Sequence, residues 1–385
     1  MNRTVKALLA LTILSSSIAI TQPAHAGWDK IREQISDAAL GGMVSTQIPS
    51  VAACISIDGA APVYLKAFGN ANGTTPATPQ TIYRVGSLSK QFTAAAILAL
   101  IEDGGKVPKD GSLFALNNNV SQFFDGVPHW STASSPMTVA RLATMTSNLP
   151  DYTQTTLSGL DPTQPVKEAD LFNALLALNP TSTKVQYTYS STNYFLLAKI
   201  IEQVAPTVKV RAQPPISIIP VKQDYRAYIR RRLIERAGLT STNFIDDLKP
   251  LGPVASPSLP PNPSFANMAW PKGAGAMQSN VVDLCKWNTA LVRGQVISKA
   301  SGVTMGTAGS PFVGGSSYGM GWMINQLPDR LEYSHNGFIA GFTAQSVVSY
   351  YGGTHYVSVV LLTNGDQVKT LLTTARNLTS GAMAP

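Results

Sequence analysis

Apolar residues recur with two different periods along the chain, and this pattern predicts a protein that contains both strands and helices. Short apolar or alternating runs, typical of strands, lie near the two ends. The early pair, residues 51–57 and 63–68, flanks Asp58 and Gly59 and is predicted to form a hairpin. Near the other end, strands are predicted over residues 318–323, 342–349 and 356–362.

Four longer segments carry apolar residues at helical spacing, and we predict helices over them. The first, residues 91–101, stops before Gly104 and Gly105, which form a typical C-terminal helix signal. The others cover residues 194–204, 225–237 and 281–293. Strands at both ends and helices between them indicate an α+β fold. In this fold one antiparallel sheet built from both chain ends is flanked by helices and carries an inserted, mainly helical subdomain.

Length and composition set the scale of this fold. The chain has 385 residues, of which 44% are hydrophobic and 13% charged, so it can bury a large core and is too balanced for disorder. We predict one folded domain over residues 27–385. Its sheet subdomain comprises residues 27–105 and 270–385, and its helical subdomain comprises residues 106–269. Surface loops are predicted at residues 207–223 and 250–263.

The first 26 residues have the pattern of a secretion signal. Arg3 and Lys6 precede a short apolar stretch, residues 7–20, and a small-x-small cleavage site follows at residues 24–26. A membrane anchor needs about 18 or more apolar residues, and this stretch is shorter and interrupted by serines. We therefore expect export, cleavage before Gly27, and a soluble product in the periplasm or outside the cell.

Basic residues concentrate in one segment. The formal net charge is +8, and residues 206–237 contain eight basic and two acidic residues. Such a segment can make weak contact with anionic envelope polymers or lipid head groups, although a solvated helix face is the simpler interpretation. Nucleic acid is not expected as a partner, because the chain has no further basic patch and no recognisable nucleic-acid module.

Two cysteines, Cys54 and Cys285, lie among apolar neighbours in a predicted strand and a predicted helix. In an oxidising compartment they can pair if the fold brings them together. The sequence does not decide this, and the apolar surroundings favour two separate buried thiols.

The strongest candidate for chemistry is a serine and a lysine three residues apart. Ser87 and Lys90 lie where a strand-like stretch, residues 81–85, passes through Gly86 into the helix predicted over residues 91–101. Residues i and i+3 share a helix face, so the serine hydroxyl can stand beside the lysine amine as a nucleophile beside its proton acceptor. The spacing alone is weak, because it occurs by chance and because a serine there can serve as a helix N-cap.

Four sequence blocks give this pair its context. They are residues 83–95 (YRVGSLSKQFTAA), 145–152 (MTSNLPDY), 189–194 (YSSTNY) and 335–337 (HNG), and residues 318–322 (YGMGW) accompany them. Together they resemble the serine β-lactamase-related hydrolases, which include class C β-lactamases, D-alanyl-D-alanine carboxypeptidases and related esterases. The resemblance extends from about residue 48 to residue 365, and four blocks in register are far more specific than any one of them.

The resemblance implies catalysis through an acyl-enzyme. Ser87 would attack a carbonyl carbon, and water would then resolve the acyl-enzyme. Lys90 can take the serine proton only as a neutral amine, which requires a pKa lowered by desolvation or by a nearby cation. Tyr189 corresponds to the family's catalytic tyrosine and can share or relay the proton. The sequence does not rank the amine and the phenol.

The resemblance also assigns groups around the substrate. The oxyanion would be held by the backbone N–H groups of Ser87 and Phe338, and losing one such donor typically costs about 10²–10³ in rate. Asn336 and Gly337 precede Phe338 on a predicted edge strand, and glycine is expected there because a side chain would crowd the substrate. His335 would border the site, where it would bind a substrate carboxylate or orient the catalytic tyrosine.

Departures from the family pattern bear on the substrate. The family's asparagine two residues after the tyrosine is Ser191 here, which lacks the paired donor and acceptor of an amide and weakens the case for amide substrates. In a second register, Ser191 and Asn193 resemble the Ser-x-Asn pair of other branches. We prefer the register of Tyr189. Met145 and Asn148 replace a usual histidine and glycine, which we interpret as structural drift.

The sequence therefore predicts an exported serine hydrolase of esters or amides, of the esterase or D-amino-acid peptidase type. Its substrate would be a small molecule or a peptide, which can derive from the cell wall. One alternative is a β-lactamase, and another is an acylatable penicillin-binding or sensing protein with little turnover. The histidines have no metal-ligand spacing, so neither a metal nor an organic cofactor is expected.

Overall fold

Within the residues that the structure describes, the strands form one large antiparallel sheet and two small sheets. The structure is a computed structural model that describes residues 28–132, 135–157, 159–161, 166–212, 217–246, 253–257, 270–339 and 341–383. The strands are β1 (Ser50–Ile57), β2 (Tyr64–Asn72), β3 (Thr75–Pro76), β4 (Tyr83–Arg84), β5 (Thr207–Ala212), β6 (Ser217–Lys222), β7 (Asn243–Phe244), β8 (Met277–Ser279), β9 (Ser316–Tyr318), β10 (Met323–Gln326), β11 (Leu331–Ile339), β12 (Phe342–Tyr350) and β13 (Tyr356–Thr363).

The large sheet joins the two ends of the chain. Its strand order is β3-β2-β1-β13-β12-β11-β10-β9, and β1 pairs directly with β13 in the register Val51 to Thr363. The small sheets have the orders β4-β8-β7 and β5-β6. The predicted α+β fold, with one antiparallel sheet built from both chain ends, is confirmed. The subdomain boundaries at residues 105 and 270 stay a prediction.

Helices cover both faces of the large sheet. They are α1 (Lys30–Thr46), α2 (Ser89–Glu102), α3 (Val139–Ala143), α4 (Glu168–Leu176), α5 (Ser191–Val204), α6 (Tyr225–Ile229), α7 (Lys272–Gly275), α8 (Val281–Val292), α9 (Lys299–Met305) and α10 (Val368–Met383). Alternate residues of a strand point to opposite faces. Val51 and Ala53 accordingly pack towards α1 and α10, while Ala52 and Cys54 join the larger core that contains α2, α5 and α8.

The predicted hairpin, the strands over residues 342–349 and 356–362 and the helices over residues 91–101, 194–204 and 281–293 are confirmed. The helix predicted over residues 225–237 is α-helical only to Ile229, and a wider π-helical turn continues it to Ile234.

Two predictions of local structure are corrected. Residues 318–323 are not one strand, because most of them connect β9 to β10. The predicted loop over residues 207–223 contains two strands, β5 and β6, which pair antiparallel. The chain ends also carry helices, α1 and α10, which the sequence analysis did not predict. These two helices bury one face of a sheet whose strands are apolar on both faces.

A disulfide bond joins Cys54 of β1 to Cys285 of α8, across 231 residues of sequence. The expectation of two separate thiols is therefore wrong. The strand and the helix pack against each other through the same core, and this tertiary contact brings the two sulfur atoms into bonding distance. A crosslink that closes so long a loop typically stabilises a fold by about 2–5 kcal/mol, mainly by restricting the unfolded chain.

The basic segment, residues 206–237, is partly used inside the molecule. The Arg232 guanidinium contacts the carboxylates of Asp103 at 2.8 Å and Glu102 at 3.4 Å, and its side chain is only 11% exposed. Arg226 pairs with Asp246 at 3.1 Å. These arginines are held by the fold and are not part of a freely solvated face.

Two regions singled out by the sequence lie largely or wholly outside the described residues. The predicted secretion signal and its cleavage site are among them, as are most residues of the predicted loop over 250–263. Of the helices that the structure does describe, none combines the length and the apolar character needed to cross a membrane.

Candidate active site

Ser87 lies in a tight 3₁₀ turn, Gly86–Leu88, that leads directly into α2. Gly86 has φ +49°, a left-handed conformation that glycine adopts without the strain of a side chain. The turn leaves Ser87 partly exposed at the start of the helix. Lys90, one turn further, is fully buried, because α2 is apolar around most of its circumference and passes through the core.

The Ser87 hydroxyl is held between an amine and a phenol. Its Oγ lies 2.9 Å from Lys90 Nζ and 2.8 Å from Tyr189 Oη. Lys90 Nζ also donates to the backbone carbonyl of Ala274 at 2.9 Å. These groups come from α2, from the residues before α5 and from α7, and the three helices pack against one another. The structure thus brings the three predicted catalytic residues together.

The surroundings of these groups set their protonation. Burial lowers the pKa of the Lys90 amine from 10.5 to about 7. The negative charge of Asp151 acts in the opposite direction and raises this pKa, but its effect is smaller. Burial raises the pKa of the Tyr189 phenol well above its ordinary value of 10.0. At neutral pH a large fraction of Lys90 is therefore neutral and able to accept a proton, whereas Tyr189 stays protonated and can donate one.

Strand β11 forms the wall opposite the turn that carries Ser87. The register of β10 along β11 ends at Ser334, so the last residues of β11 are not paired with β10. A Cβ atom on Gly337 would lie 1.9 Å from the carbonyl oxygen of Val85, and one on Gly86 would lie 2.8 Å from both N and O of Phe338. The two backbones therefore pack directly on each other, with the polar backbone groups of Phe338 facing the turn.

This contact corrects the reason given for Gly337. We expected glycine there in order to leave room for a substrate, but a side chain would instead collide with Val85. The glycine permits the close approach of β11 to the turn of Ser87. This approach brings the backbone of Phe338 next to that of Gly86, the residue before Ser87, so the expected oxyanion donors of Ser87 and Phe338 lie in neighbouring backbone segments.

A cavity of about 1100 Å³ opens over Ser87. Of the residues predicted for substrate binding, Ser191, Asn336 and Phe338 line it, and Phe338 is 48% exposed. Ser191 Oγ lies 3.5 Å from Lys90 Nζ. The remaining lining consists of Gly86, Asp151, Tyr152, Thr153, Gln154, Thr155, Thr156, Leu157, Leu160, Tyr189, Trp270, Pro271, Ala274, Gly275 and Ile339.

His335 does not line the cavity, which corrects its expected place beside a substrate carboxylate. Its side chain is buried, its Nδ1 lies 2.6 Å from the carbonyl oxygen of Asn336, and its Nε2 lies 2.9 Å from Tyr318 Oη. Burial lowers the pKa of the imidazole to about 3, so it is neutral. The neutral ring donates from Nδ1 and accepts at Nε2. Tyr318, which it holds, packs edge-on against the Tyr189 ring.

The positions of Tyr189 and Asn193 distinguish the two motif registers. Tyr189 reaches Ser87, whereas Asn193 is fully buried, does not line the cavity and accepts a hydrogen bond from Ser147 at 2.5 Å. The side-chain NH₂ group of Asn193 faces the sulfur of Met145 at 3.3 Å. Asn193 thus supports the loop behind the cavity, and the geometry favours the register of Tyr189.

The replacements at Met145 and Asn148 have structural roles. Both residues have φ +57°, in the left-handed region. Asparagine is the residue other than glycine that tolerates this conformation best, and Asn148 anchors its loop by donating to the carbonyls of Ser182 and Lys184.

Two groups at the site were not assigned from the sequence. Asp151 lies in the block 145–152 but was given no role, and the carbonyl of Ala274 lies in a segment without a recognisable pattern. The first was visible as a charged residue in a motif, while the second gave no signal. Within the described parts of the chain, no three His, Cys, Asp or Glu side chains lie together as a metal site would need.

Fold and site together define a serine hydrolase with a Ser-x-x-Lys nucleophile segment. The family model described as Beta-lactamase matches residues 25–381. The chain therefore belongs to the beta-lactamase family.

Several known proteins are similar to this chain. Penicillin-binding protein 4* of Bacillus subtilis (strain 168) is 25% identical over 328 residues, covering 81% of this chain and 68% of that protein. Putative penicillin-binding protein PbpX of the same strain is 26% identical over 291 residues, covering 74% of this chain and 63% of that protein. The D-amino acid amidase from Ochrobactrum anthropi SV3, solved with D-phenylalanine, has a TM-score of 0.72 at 18% identity, covering 92% of this chain and 100% of that chain. This last likeness shows the fold.

Gly337→Ala is expected to lower the hydrolytic rate by more than about tenfold and to lower the melting temperature. The new Cβ would force β11 away from Val85 and shift the backbone N–H of Phe338, which is the expected oxyanion donor. Gly42→Ala in α1 is the matched control, because nothing lies within 4 Å of a Cβ there and alanine favours a helix. Initial rates and thermal melts of both variants test this. A fully active Gly337→Ala enzyme would contradict the role given to the close approach.

Proposed function

We propose that this protein is an exported hydrolase that cleaves an ester or amide through an acyl-enzyme at Ser87. The observation that carries the proposal is the position of Ser87 Oγ, within 2.9 Å of the Lys90 amine and 2.8 Å of the Tyr189 phenol. A serine hydroxyl is a weak nucleophile unless a base takes its proton. The buried amine supplies that base at the correct distance.

The mechanism follows from the two pKa directions. Neutral Lys90 accepts the proton of Ser87 as Oγ bonds to the carbonyl carbon, and the backbone N–H groups of Ser87 and Phe338 hold the oxyanion. The Tyr189 phenol, which remains protonated, donates to the leaving group as its bond to the carbonyl carbon breaks. The phenol regains a proton from the Lys90 ammonium, directly or through an intervening water. Water then attacks the acyl-enzyme, with the same groups acting in reverse.

The substrate is proposed to be an ester or a D-amino-acid amide or peptide. Ser191 stands in the cavity wall where the family has an asparagine, and its single short hydroxyl does not supply the separate carbonyl acceptor and NH₂ donor with which an amide can hold the side chain of a β-lactam. The buried, neutral His335 offers no charge to the carboxylate of a β-lactam. The overall likeness to a D-amino acid amidase supports the same choice.

Ser87→Ala is expected to abolish hydrolysis of p-nitrophenyl acetate, with a loss of several orders of magnitude, because no acyl-enzyme can form. A D-Ala-D-Ala peptide and a chromogenic cephalosporin are assayed in parallel with wild type. Ser45→Ala, at an exposed position of α1, serves as the control and should remain fully active. If Ser87→Ala retains turnover within about tenfold of wild type, the assignment is wrong. A burst of p-nitrophenol without turnover would identify an acylated binding protein instead.

The pH profile is expected to report Lys90. For p-nitrophenyl acetate, kcat/KM should rise with pH through an apparent pKa of about 7 and then level off, because only the neutral amine accepts the proton. Lys90→Arg should be inactive over the whole range, since a guanidinium stays charged. Initial rates from about pH 5 to pH 9 measure this. A profile that is flat across that range would mean that Lys90 is not the base.

Export is proposed from the basic and apolar pattern of the first 26 residues, and the Cys54–Cys285 bond supports it, because disulfides persist in oxidising compartments. Protein recovered from the periplasm or medium of an expressing bacterium is expected to begin at Gly27. Non-reducing peptide mapping should find the two cysteines linked. An intact N-terminus with free thiols in the cytoplasmic fraction would refute the proposal.

A further inference from the structure

Among the described residues that line the cavity, Asp151 is the one whose side chain carries a formal charge. The other lining residues are apolar, aromatic, hydroxyl-bearing or amide-bearing. A charge that borders a cavity acts more strongly on a bound substrate than a charge in bulk water does, because the effective dielectric constant near a protein is lower. The charge of Asp151 already acts on the reacting groups, because it raises the pKa of Lys90 against the effect of burial and also raises the pKa of Tyr189.

No cation in the described part of the chain faces the cavity to balance this carboxylate. Lys90 is buried behind Ser87, and its pKa is lowered to about 7. His335 is buried and neutral. The Lys272 ammonium, close to the cavity wall at Pro271, contacts the carboxylates of Glu168 at 2.7 Å and Glu202 at 2.6 Å. The cavity is therefore arranged to receive positive charge.

The Asp151 carboxylate is held by one oxygen and leaves the other available. Oδ1 accepts hydrogen bonds from the backbone N–H of Thr153 at 3.0 Å and from its hydroxyl at 2.8 Å. Oδ2 has no such partner among the described residues. Because this carboxylate is already fixed, accepting a charge-assisted hydrogen bond from an ammonium group costs little further side-chain entropy.

We propose that Asp151 binds the free ammonium group of the substrate, so that the enzyme selects esters and amides of amino acids with an unblocked α-amine. The inference rests on the proposed acyl-enzyme function and names the substrate class of that site. Leu157, Leu160 and Trp270 line the same cavity and provide an apolar surface for the amino-acid side chain. The preferred substrates are thus amides and esters of apolar or aromatic amino acids.

The test compares two primary amides, D-phenylalaninamide and 3-phenylpropanamide, which differ only in the α-ammonium group. Each competes against p-nitrophenyl acetate at pH 7, below the α-amino pKa of about 8. In wild type, D-phenylalaninamide should compete at least about tenfold more strongly, as expected for a hydrogen bond between charged groups.

Asp151→Asn retains the acceptor for Thr153 but loses the charge. In this variant the ratio between the two competition constants should fall to about one.

Asp110→Asn is the matched control. Asp110 makes the same turn, accepting from the backbone N–H and hydroxyl of Ser112, but it does not line the cavity. The tenfold ratio should survive in this variant. Equal competition by the two amides in wild type, or a ratio that persists in Asp151→Asn, would overturn the inference while leaving Ser87-dependent ester hydrolysis intact. If p-nitrophenyl acetate hydrolysis does not require Ser87, the proposed function itself fails, and the two failures are distinguishable.

Discussion

The site depends on the removal of water from one amine. Lys90 is fully buried in α2, and burial lowers its pKa from 10.5 to about 7. The difference corresponds to roughly 5 kcal/mol against the charged form, which is large beside a typical net stability of about 5–15 kcal/mol. Between pH 7 and pH 10.5 the unfolded chain holds the proton and the folded chain does not, so stability rises with pH over that range. At neutral pH the reactive amine therefore costs stability.

The rest of the fold supplies the packing that offsets this cost. Helix α2 is buried along most of its length, and Phe92 stacks on Trp287 of α8 with ring centroids 3.9 Å apart. The large sheet is covered by helices on both faces, and the disulfide from Cys54 to Cys285 ties β1 to the layer that contains α8. The amine is thus held inside a tightly packed core.

The same burial gives the cleft its electrical character. Two basic side chains near Ser87 are kept from acting as exposed cations, Lys90 by desolvation and His335 by burial and by the charge of the neighbouring Lys90. The carboxylate of Asp151 remains at the surface of the cavity. Burial that makes the amine a base therefore also leaves the cleft with an acidic rather than a basic wall.

The sequence by itself determined the features that depend on local spacing. It predicted the helix that begins near Ser87, the position of Lys90 one turn along it, and the motif block that contains Tyr189, because helix periodicity and motif order are properties of neighbouring residues. Only the tertiary structure decided the Cys54–Cys285 bond and the burial of His335. Bonding distances, collisions and pKa values depend on atoms contributed by distant parts of the chain, and those positions are set by packing, which no local pattern records.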